Sequence, residues 1–213
     1  MSTPPLITVE QLAFERDDCN VFKPASFNVE AGDIVQLEGA NGAGKTTLMR
    51  LMTSALQPTS GAVLFKGRPI NDCRYEYLDS ILYVGHQSGV KMTLSAEENL
   101  RWMSPASVSS AEITQALDAV GLRGFADMPC YSLSAGQHRR VALARLHTSK
   151  AAVWYLDEPF TSIDKQGALA LQQQLEIHVQ QGGAVVLTTH QNLPLDGLRK
   201  YIVESHIDLG VQP

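Results

Sequence analysis

The sequence has no long apolar run, no paired cysteines and no excess of positive charge. No apolar stretch approaches the roughly 20 residues needed to span a bilayer, and residues 1–5 lack the basic-then-apolar order of a signal peptide. The three cysteines, Cys19, Cys73 and Cys130, form no CxxC pair, which indicates a reducing compartment. The net charge of −5 argues against a nucleic-acid surface, which normally has an excess of Lys and Arg. We therefore expect a soluble, cytoplasmic protein whose membrane role, if any, depends on a partner.

The chain is long enough for one large domain with a substantial core. Its 213 residues are 44% hydrophobic, and they contain no repeat or flexible linker. Apolar periodicity predicts strands at 7–14, 25–29, 34–38, 62–65, 81–85, 153–156 and 184–189, a short strand and tail at 200–213, and helices at 45–56, 96–103, 111–120, 136–146 and 166–180. Strands that alternate with helices predict an α/β fold with a mostly parallel sheet. We interpret the helical stretch 88–146 as a lobe inserted into a single domain that spans 1–213.

A glycine-rich loop follows the strand predicted at 34–38 and leads into the next helix. It matches the pattern G-x-x-x-x-G-K-[ST] and consists of Gly39, Ala40, Asn41, Gly42, Ala43, Gly44, Lys45, Thr46 and Thr47. Glycines allow successive N–H groups to point at phosphate oxygens, and the helix N-terminus adds the positive end of its dipole. Lys45 can reach the β- and γ-phosphates, the Thr46 hydroxyl can ligate Mg²⁺, and Thr47 is placed for the α-phosphate. A chance glycine-rich turn is the alternative, but the position between a strand and a helix favours nucleotide binding.

Two acidic residues follow the apolar strand predicted at 153–156. Strand ends of an open α/β sheet lie at the crevice where ligands bind. Asp157 can hold Mg²⁺ directly or through water, and Glu158 can accept a proton from the attacking water or orient it. A solvated acidic loop is the alternative, and it is less favoured because the glycine-rich loop supplies a phosphate cradle for the same site. The pair therefore predicts hydrolysis of ATP.

The pentapeptide Leu-Ser-Ala-Gly-Gln at residues 133–137 precedes the helix predicted at 136–146. By itself, Ser134 followed by Gln137 is a capping box that starts a helix. Together with the run Arg-Val-Ala-Leu-Ala-Arg at 140–145, the pentapeptide resembles the signature of ABC-type ATPases, usually LSGGQ, with Ala135 in place of the first glycine. The resemblance implies a P-loop NTPase fold with a RecA-like parallel sheet core, an antiparallel β subdomain and an inserted helical subdomain.

Further motifs of this family follow in order along nearly the whole chain. Gln87 matches the Q-loop, Asp164 lies in a stretch similar to the D-loop, and His190 matches the switch histidine. The resemblance implies catalytic roles for Glu158, Gln87 and His190. It also implies that Mg²⁺ is bound by three side chains, Thr46, Gln87 and Asp157.

The resemblance implies a head-to-tail homodimer that forms with ATP. Ser134, Gly136 and Gln137 of one copy would contact the ATP that the other copy holds. In this family an aromatic residue before the glycine-rich loop stacks on adenine, and Arg16 occupies that position here. Either its guanidinium plane or the Phe14 ring would make the contact.

The motifs are most similar to one branch of the family, the ATP-binding subunits of the bacterial cytochrome c maturation complex, a haem exporter. The resemblance is carried by Gly-His-Gln at 85–87, the run 133–146, Asp-Glu-Pro-Phe-Thr-Ser-Ile-Asp at 157–164 and Leu-Thr-Thr-His-Gln at 187–191. It implies an integral membrane subunit as partner and a peripheral location at the cytoplasmic face of the inner membrane. The sequence has no CxxCH, so we expect no direct haem binding. We interpret the remaining histidines as surface or packing residues: His86, His138, His147, His178 and His206.

Two alternatives to a role in cytochrome c maturation stay open. The chain could be the ATP-binding subunit of another small ABC transporter, or a soluble ABC ATPase such as an iron–sulfur assembly factor. A DNA-maintenance role is disfavoured by the acidic charge, and a nucleotide-binding scaffold without catalytic activity is disfavoured by the presence of Glu158 and His190.

Contact with a membrane partner is expected at residues 88–100. There Val90, Met92 and Leu94 would either touch the partner or form the core of the lobe.

Overall fold

The computed structural model describes residues 4–191, 193–195 and 197–205. Its strands are β1 (Ile7–Ala13), β2 (Glu15–Arg16), β3 (Cys19–Asn20), β4 (Ala25–Val29), β5 (Ile34–Glu38), β6 (Ser60–Phe65), β7 (Arg68–Pro69), β8 (Ile81–Val84), β9 (Val153–Asp157), β10 (Ala184–Thr188) and β11 (Leu198–Ile202). Its α-helices are α1 (Lys45–Met52), α2 (Arg74–Asp79), α3 (Ala96–Met103), α4 (Ser110–Ala119), α5 (Ala135–Thr148) and α6 (Lys165–Gln180). None of the helices in the described ranges is long and apolar enough to cross a bilayer.

Five parallel strands form the central sheet in the order β11-β5-β10-β9-β8. Every residue of β9 and β10 is buried, which explains why their sequences are continuous apolar runs rather than alternating ones. Thr188 at the end of β10 pairs with Asp157 at the end of β9. Because parallel strands end at the same edge, the loops that follow β5, β9 and β10 lie side by side.

A second, antiparallel sheet has the order β4-β1-β6-β7, and a separate hairpin joins β2 to β3. Apolar side chains of this sheet, of α1 and of one face of the parallel sheet form a common core. The largest of them are fully buried, among them Phe65, Met49 and Tyr155. This packing fixes α1, and with it the loop before α1, against the end of β5.

The helices α5 and α6 cover the other face of the parallel sheet. Trp154 of β9 packs there with Leu146 of α5 and Leu175 of α6. A third core lies between α3, α4 and α5, where Leu100, Leu117 and Val141 are buried. The helix α5 therefore joins the group of helices α3–α5 to the parallel sheet.

The predicted fold class is confirmed, since the structure has the parallel sheet, the separate antiparallel sheet and the additional group of helices. The division into a single domain 1–213 with a lobe at 88–146 stays a prediction. The helix predicted at 45–56 was wrong at its end, because α1 stops at Met52 and Ser54 takes a left-handed conformation with φ 59°. The tail from 206 onward, which includes His206, lies outside the described residues.

Candidate active site

The glycine-rich loop, residues 39–47, connects β5 to α1 as the sequence predicts. All three of its glycines have positive φ, 152° at Gly39, 83° at Gly42 and 95° at Gly44. A Cβ at Gly39 would lie 2.7 Å from the Val203 carbonyl oxygen, and one at Gly44 would lie 2.8 Å from the Phe22 ring. Other residue types are therefore excluded at both positions by space as well as by conformation.

The N-terminus of α1 is open to an anion. Gly44 is its N-cap and provides no side-chain hydrogen bond, and the first turn contains no acidic residue. The first N–H groups of the helix thus remain available, together with the positive end of the helix dipole. The exposed residues Ala40, Asn41 and Gly42 form the outer side of the loop. This arrangement fits a phosphate chain.

Lys45 supplies a positive charge to the loop. Its Nζ donates hydrogen bonds to the carbonyl oxygens of Gly39 (2.7 Å) and Ala40 (3.1 Å), so the ammonium group crosses the loop from one end to the other. A cavity of about 340 Å³ opens beside it and is also lined by His190. Phosphate oxygens are stronger partners for an ammonium than carbonyl oxygens are.

The Asp157 carboxylate is buried at the end of β9, with 2% of the residue exposed. Its Oδ2 accepts a hydrogen bond from the Thr46 hydroxyl (2.9 Å), and its Oδ1 accepts one from the Thr188 hydroxyl (2.7 Å). Mg²⁺ prefers hard oxygen ligands of this kind, and usually binds through one or two carboxylates plus phosphate oxygens. The pairing of Thr46 with Asp157 therefore fits the predicted Mg²⁺ site.

Glu158 has a backbone conformation that is unusual for a residue other than glycine, with φ 50°. Its N–H donates to the Thr188 hydroxyl (2.9 Å), which holds the residue against β10. Its Oε1 lies 3.5 Å from Nε2 of His190, whose side chain is 62% exposed against 16% for Glu158. The structure thus brings the predicted base and the predicted switch histidine into contact at the strand ends.

The signature pentapeptide begins α5 through the predicted capping box. The Gln137 N–H donates to the Ser134 hydroxyl (3.3 Å), and the Ser134 N–H donates to Oε1 of Gln137 (2.8 Å). Gly136 lies against the segment before α6, because a Cβ there would be 2.7 Å from the Ser162 carbonyl oxygen. No hydrogen bond joins these residues to residues 39–47 within the described part of the chain. A contact with ATP in trans stays a prediction.

Asp164 links the start of α6 to α5. Its Oδ1 accepts a hydrogen bond from the Gly167 N–H (2.8 Å), which caps α6, and its Oδ2 pairs with the Arg140 guanidinium (2.8 Å). A cavity of about 500 Å³ lies beside this pair, between α4, α5 and α6. It is larger than the cavity beside Lys45, but none of its lining residues belongs to the glycine-rich loop.

Two predicted residues, Gln87 and Arg16, make no side-chain hydrogen bond in the described ranges. Gln87 is exposed in the loop after β8. Arg16 is exposed on the β2–β3 hairpin, and Phe22, just beyond this hairpin, touches the loop at Gly44. Phe14 is half-buried against the first core. The adenine contact, by Arg16 or by Phe14, stays a prediction.

Of the other described histidines, His86 and His147 are exposed, whereas His138 and His178 make ordinary packing contacts. His138 bonds to the Cys130 carbonyl oxygen, and His178 stacks on Trp154 with ring centroids 3.7 Å apart. Burial lowers the pKa of His178. Among the described residues, no group of three or more His, Cys, Asp or Glu side chains could hold a metal ion.

Sequence reasoning missed two residues that hold the site together. The first is Thr188, whose hydroxyl joins Asp157 to Glu158. The second is Arg139, a buried arginine of α5 that donates to the carbonyl oxygens of both acidic residues (2.8 Å each). The only signals in the sequence are a threonine ending an apolar strand and an arginine shortly after the signature.

Comparisons with known proteins agree with these motifs. Residues 22–161 match the family described as ABC transporter. The chain is 50% identical over 186 residues to the "Cytochrome c biogenesis ATP-binding export protein CcmA" of Pseudomonas putida, and the match covers 85% of this chain and 88% of that protein.

Solved structures share the fold at lower sequence identity. An ATP-binding subunit of an ABC transporter superposes with a TM-score of 0.83 at 24% identity, covering 93% of this chain and 86% of that chain. The ATP-binding cassette MJ0796, a dimer bound to ADP and Pi in a post-hydrolysis state, superposes with a TM-score of 0.75 at 22% identity, covering 87% and 88%.

Proposed function

The chain belongs to the ABC transporter family of ATP-binding proteins, and from this premise we propose that it is the ATP-hydrolysing subunit of a membrane complex for cytochrome c biogenesis and haem export. The observation that carries the proposal is the convergence of the glycine-rich loop with Asp157, Glu158 and His190 at one edge of the sheet. The specific role is supported by 50% identity to a cytochrome c biogenesis ATP-binding export protein over most of both chains.

ATP binds through its phosphates to residues 39–47. The N–H groups at the start of α1 and the ammonium group of Lys45 neutralise the phosphate charge. Lys45 must exchange its bonds to the Gly39 and Ala40 carbonyl oxygens for bonds to phosphate oxygens, which the greater charge of the phosphates favours. Arg16 or Phe14 holds the adenine ring, and Thr47 contacts the α-phosphate.

The residues that would hold Mg²⁺ are Thr46, Asp157 and Gln87. Thr46 and Asp157 already lie within hydrogen-bonding distance of each other, and both offer hard oxygen ligands. When bound, Mg²⁺ neutralises charge on the phosphate oxygens during phosphoryl transfer.

Hydrolysis depends on Glu158, which orients the attacking water and accepts its proton. The carboxylate is only 16% exposed, so few solvent molecules compete for it, and its backbone is fixed through Thr188. His190 lies 3.5 Å from the carboxylate and is the more exposed of the two, which supports a contact with the γ-phosphate. Gln87 acts from the loop after β8 as the third catalytic residue.

Two copies of the chain would close head to tail around two ATP molecules. Ser134, Gly136 and Gln137 at the start of α5 provide a helix N-terminus for the γ-phosphate held by the other copy. Asp164 lies next to this surface, because Gly136 contacts the segment just before it. ATP stabilises the closed dimer, and ADP does not, because only ATP carries the γ-phosphate that both copies bind. The dimeric state of the MJ0796 cassette supports this arrangement.

The subunit would associate peripherally with an integral membrane partner at the cytoplasmic face of the inner membrane. Residues 88–100 are the proposed contact, and their exposed large hydrophobic residue is Met92, with 47% of its surface accessible. Val90 packs against the third core instead, which favours the lobe-core alternative for that residue. Trp102 and Tyr131 are also exposed, by 65% and 69%, and Tyr131 adjoins Met92, whose carbonyl oxygen accepts a hydrogen bond from the Tyr131 N–H (2.9 Å). Neither nucleic acid nor haem is a proposed ligand of this chain.

The catalytic part of the proposal is tested with the variant Glu158→Gln. We expect its ATP turnover to fall at least about 100-fold while ATP affinity is kept, because only the base is lost. The variant should accumulate as an ATP-bound dimer in light scattering. Glu204→Gln is the matched control, since the Glu204 carboxylate pairs with Lys23 at the surface and with no other described residue. Wild-type turnover in Glu158→Gln would exclude Glu158 as the base.

The transport part is tested by fractionation and by pull-down of the tagged chain from solubilised membranes. We expect the chain to pellet with membranes only when its integral partner is present, and to co-purify with that subunit. A chain that stays in the soluble fraction under both conditions would instead favour a soluble ABC ATPase, such as an iron–sulfur assembly factor.

A further inference from the structure

Arg139 is a charged residue in the interior, with 5% of its surface exposed. Its guanidinium makes no hydrogen bond to a carboxylate in the described structure. Instead it donates to four backbone carbonyl oxygens, those of Gly85 (2.6 Å), Asp157 (2.8 Å), Glu158 (2.8 Å) and Pro159 (3.4 Å). A planar group with five donors can satisfy such a set, and the single ammonium of a lysine cannot.

The burial of this charge opposes folding unless its contacts compensate for the lost hydration. Burial lowers the pKa of Arg139, and the nearby charges of Asp157 and Glu158 act in the opposite direction. Lysine or glutamine would fill most of the same volume with fewer donors. An arginine at position 139 therefore matters for the hydrogen bonds that it makes to the backbone as well as for packing.

Arg139 holds the backbone of Glu158 from the side opposite to Thr188. The Glu158 carbonyl oxygen accepts from Arg139, and the Glu158 N–H donates to Thr188. Both peptide groups of a residue with φ 50° are thus fixed by side chains from neighbouring elements. This conformation determines where the carboxylate points, and it persists only where the surroundings enforce it.

The same guanidinium connects three parts of the site. It lies on α5, the helix that begins with the signature residue Ser134. It reaches the end of β9 at Glu158, and it reaches Gly85, two residues before Gln87. A shift of α5 would therefore be transmitted through the Arg139 side chain to Glu158 and to Gly85, which precedes the Q-loop residue Gln87.

We propose that Arg139 is a positioning residue that couples the placement of α5 to the orientation of Glu158, so that hydrolysis in one copy responds to what its own signature helix contacts. The inference rests on the proposed function. In a head-to-tail dimer, α5 of one copy touches the ATP of the other. Arg139 then makes the two ATP sites interdependent.

Arg145 is a matched control on the same helix. It is a half-buried arginine, and burial lowers its pKa as well. In the described part of the chain its guanidinium donates one hydrogen bond, to the Tyr83 carbonyl oxygen (3.1 Å), away from Asp157 and Glu158. Replacing it perturbs the packing of α5 on the sheet without removing a contact to the base.

The experiment compares Arg139→Lys with Arg145→Lys at a temperature below the melting point of both variants. For Arg139→Lys we expect kcat to fall about 10- to 100-fold with KM for ATP within about twofold of wild type, because a misplaced base slows chemistry without touching residues 39–47. Its ATP-bound dimer should persist in light scattering. For Arg145→Lys we expect kcat within about threefold of wild type.

Equal losses of kcat in the two variants, or a KM that rises in step with the loss, would overturn the proposal, because either result indicates general loosening of α5. If Arg139→Lys does not fold, Arg139→Gln, which keeps the two N–H donors of one amide group without the charge, is measured in its place with the same criteria. Glu158→Gln separates the two ideas. Full turnover in Glu158→Gln contradicts the proposed function, whereas its loss together with full turnover in Arg139→Lys contradicts only the role of Arg139.

Discussion

Replacing Thr188 by valine removes one hydroxyl group and leaves the shape of the side chain nearly unchanged. The residue is fully buried, so solvent cannot replace the lost contacts. The hydroxyl donates to Asp157 (2.7 Å) and accepts from the Glu158 N–H (2.9 Å). The substitution therefore breaks two hydrogen bonds at the centre of the site without creating a cavity.

The size of the effect follows from these two bonds. A hydrogen bond to a charged group contributes about 1.5–3 kcal/mol, and a buried donor without a partner costs about 1–3 kcal/mol. We expect the free energy of unfolding of Thr188→Val to fall by about 3 kcal/mol. Since domains are stable by about 5–15 kcal/mol, the variant should still fold. Its kcat should fall about 10- to 100-fold, because Glu158 is then held from one side only.

Urea unfolding followed by tryptophan fluorescence gives the stability, and steady-state ATP hydrolysis gives kcat. Thr188→Ser is the control, since it keeps the hydroxyl and loses one methyl group, at a cost of about 1 kcal/mol. It should retain most of the activity. If valine and serine variants were equally stable and equally active, the hydroxyl would not hold the site, and the reasoning would be refuted.

Three further predictions concern the loop, the signature and a partly buried histidine. Lys45→Ala should weaken ATP binding at least about tenfold in calorimetry, because the charge that faces the phosphates is lost, and unchanged affinity would contradict its role. Gly136→Ala should weaken the ATP-bound dimer about tenfold in light scattering and leave ATP affinity intact, because the added Cβ would lie 2.7 Å from the Ser162 carbonyl oxygen and displace the signature segment. An undisturbed dimer would argue against a contact between Gly136 and the ATP of the other copy. Burial lowers the pKa of His178 in the folded protein below its ordinary value of 6.5. As the pH falls below about 6.5, the unfolded chain therefore binds a proton at His178 more readily than the folded protein does, and the free energy of unfolding decreases. His178→Phe, which keeps a ring on Trp154, should reduce this pH dependence in thermal melts, and an unchanged dependence would exclude His178 as a source.

Much of the site could be predicted because its residues follow strands that the sequence marks clearly. Continuous apolar runs indicate buried parallel strands, and parallel strands end at one edge. Residues 39–47, Asp157 and His190 each follow such a run, so their proximity could be expected before the structure was known. The capping box at Ser134 was equally local, and it forms as predicted.

The unpredicted parts depend on contacts between distant segments. Arg139 lies in a helix where arginine usually faces solvent, and only the packing of α5 on the sheet buries it. The partners of Thr188 come from the neighbouring strand, about 30 residues away. The short helix α2 has the sequence Arg-Tyr-Glu-Tyr-Leu-Asp, which is too short for an apolar period to be recognised.

Because Glu158 has a left-handed backbone conformation, protein stability and catalytic activity make opposite demands on the residue at this position. A residue other than glycine in this conformation costs about 1–2 kcal/mol, and glycine would avoid most of that cost. Glu158→Gly should therefore melt at a higher temperature and hydrolyse almost no ATP. Selection for stability then favours glycine at position 158, whereas selection for catalytic activity favours glutamate. A thermostable relative that keeps glutamate there must gain its extra stability elsewhere in the fold.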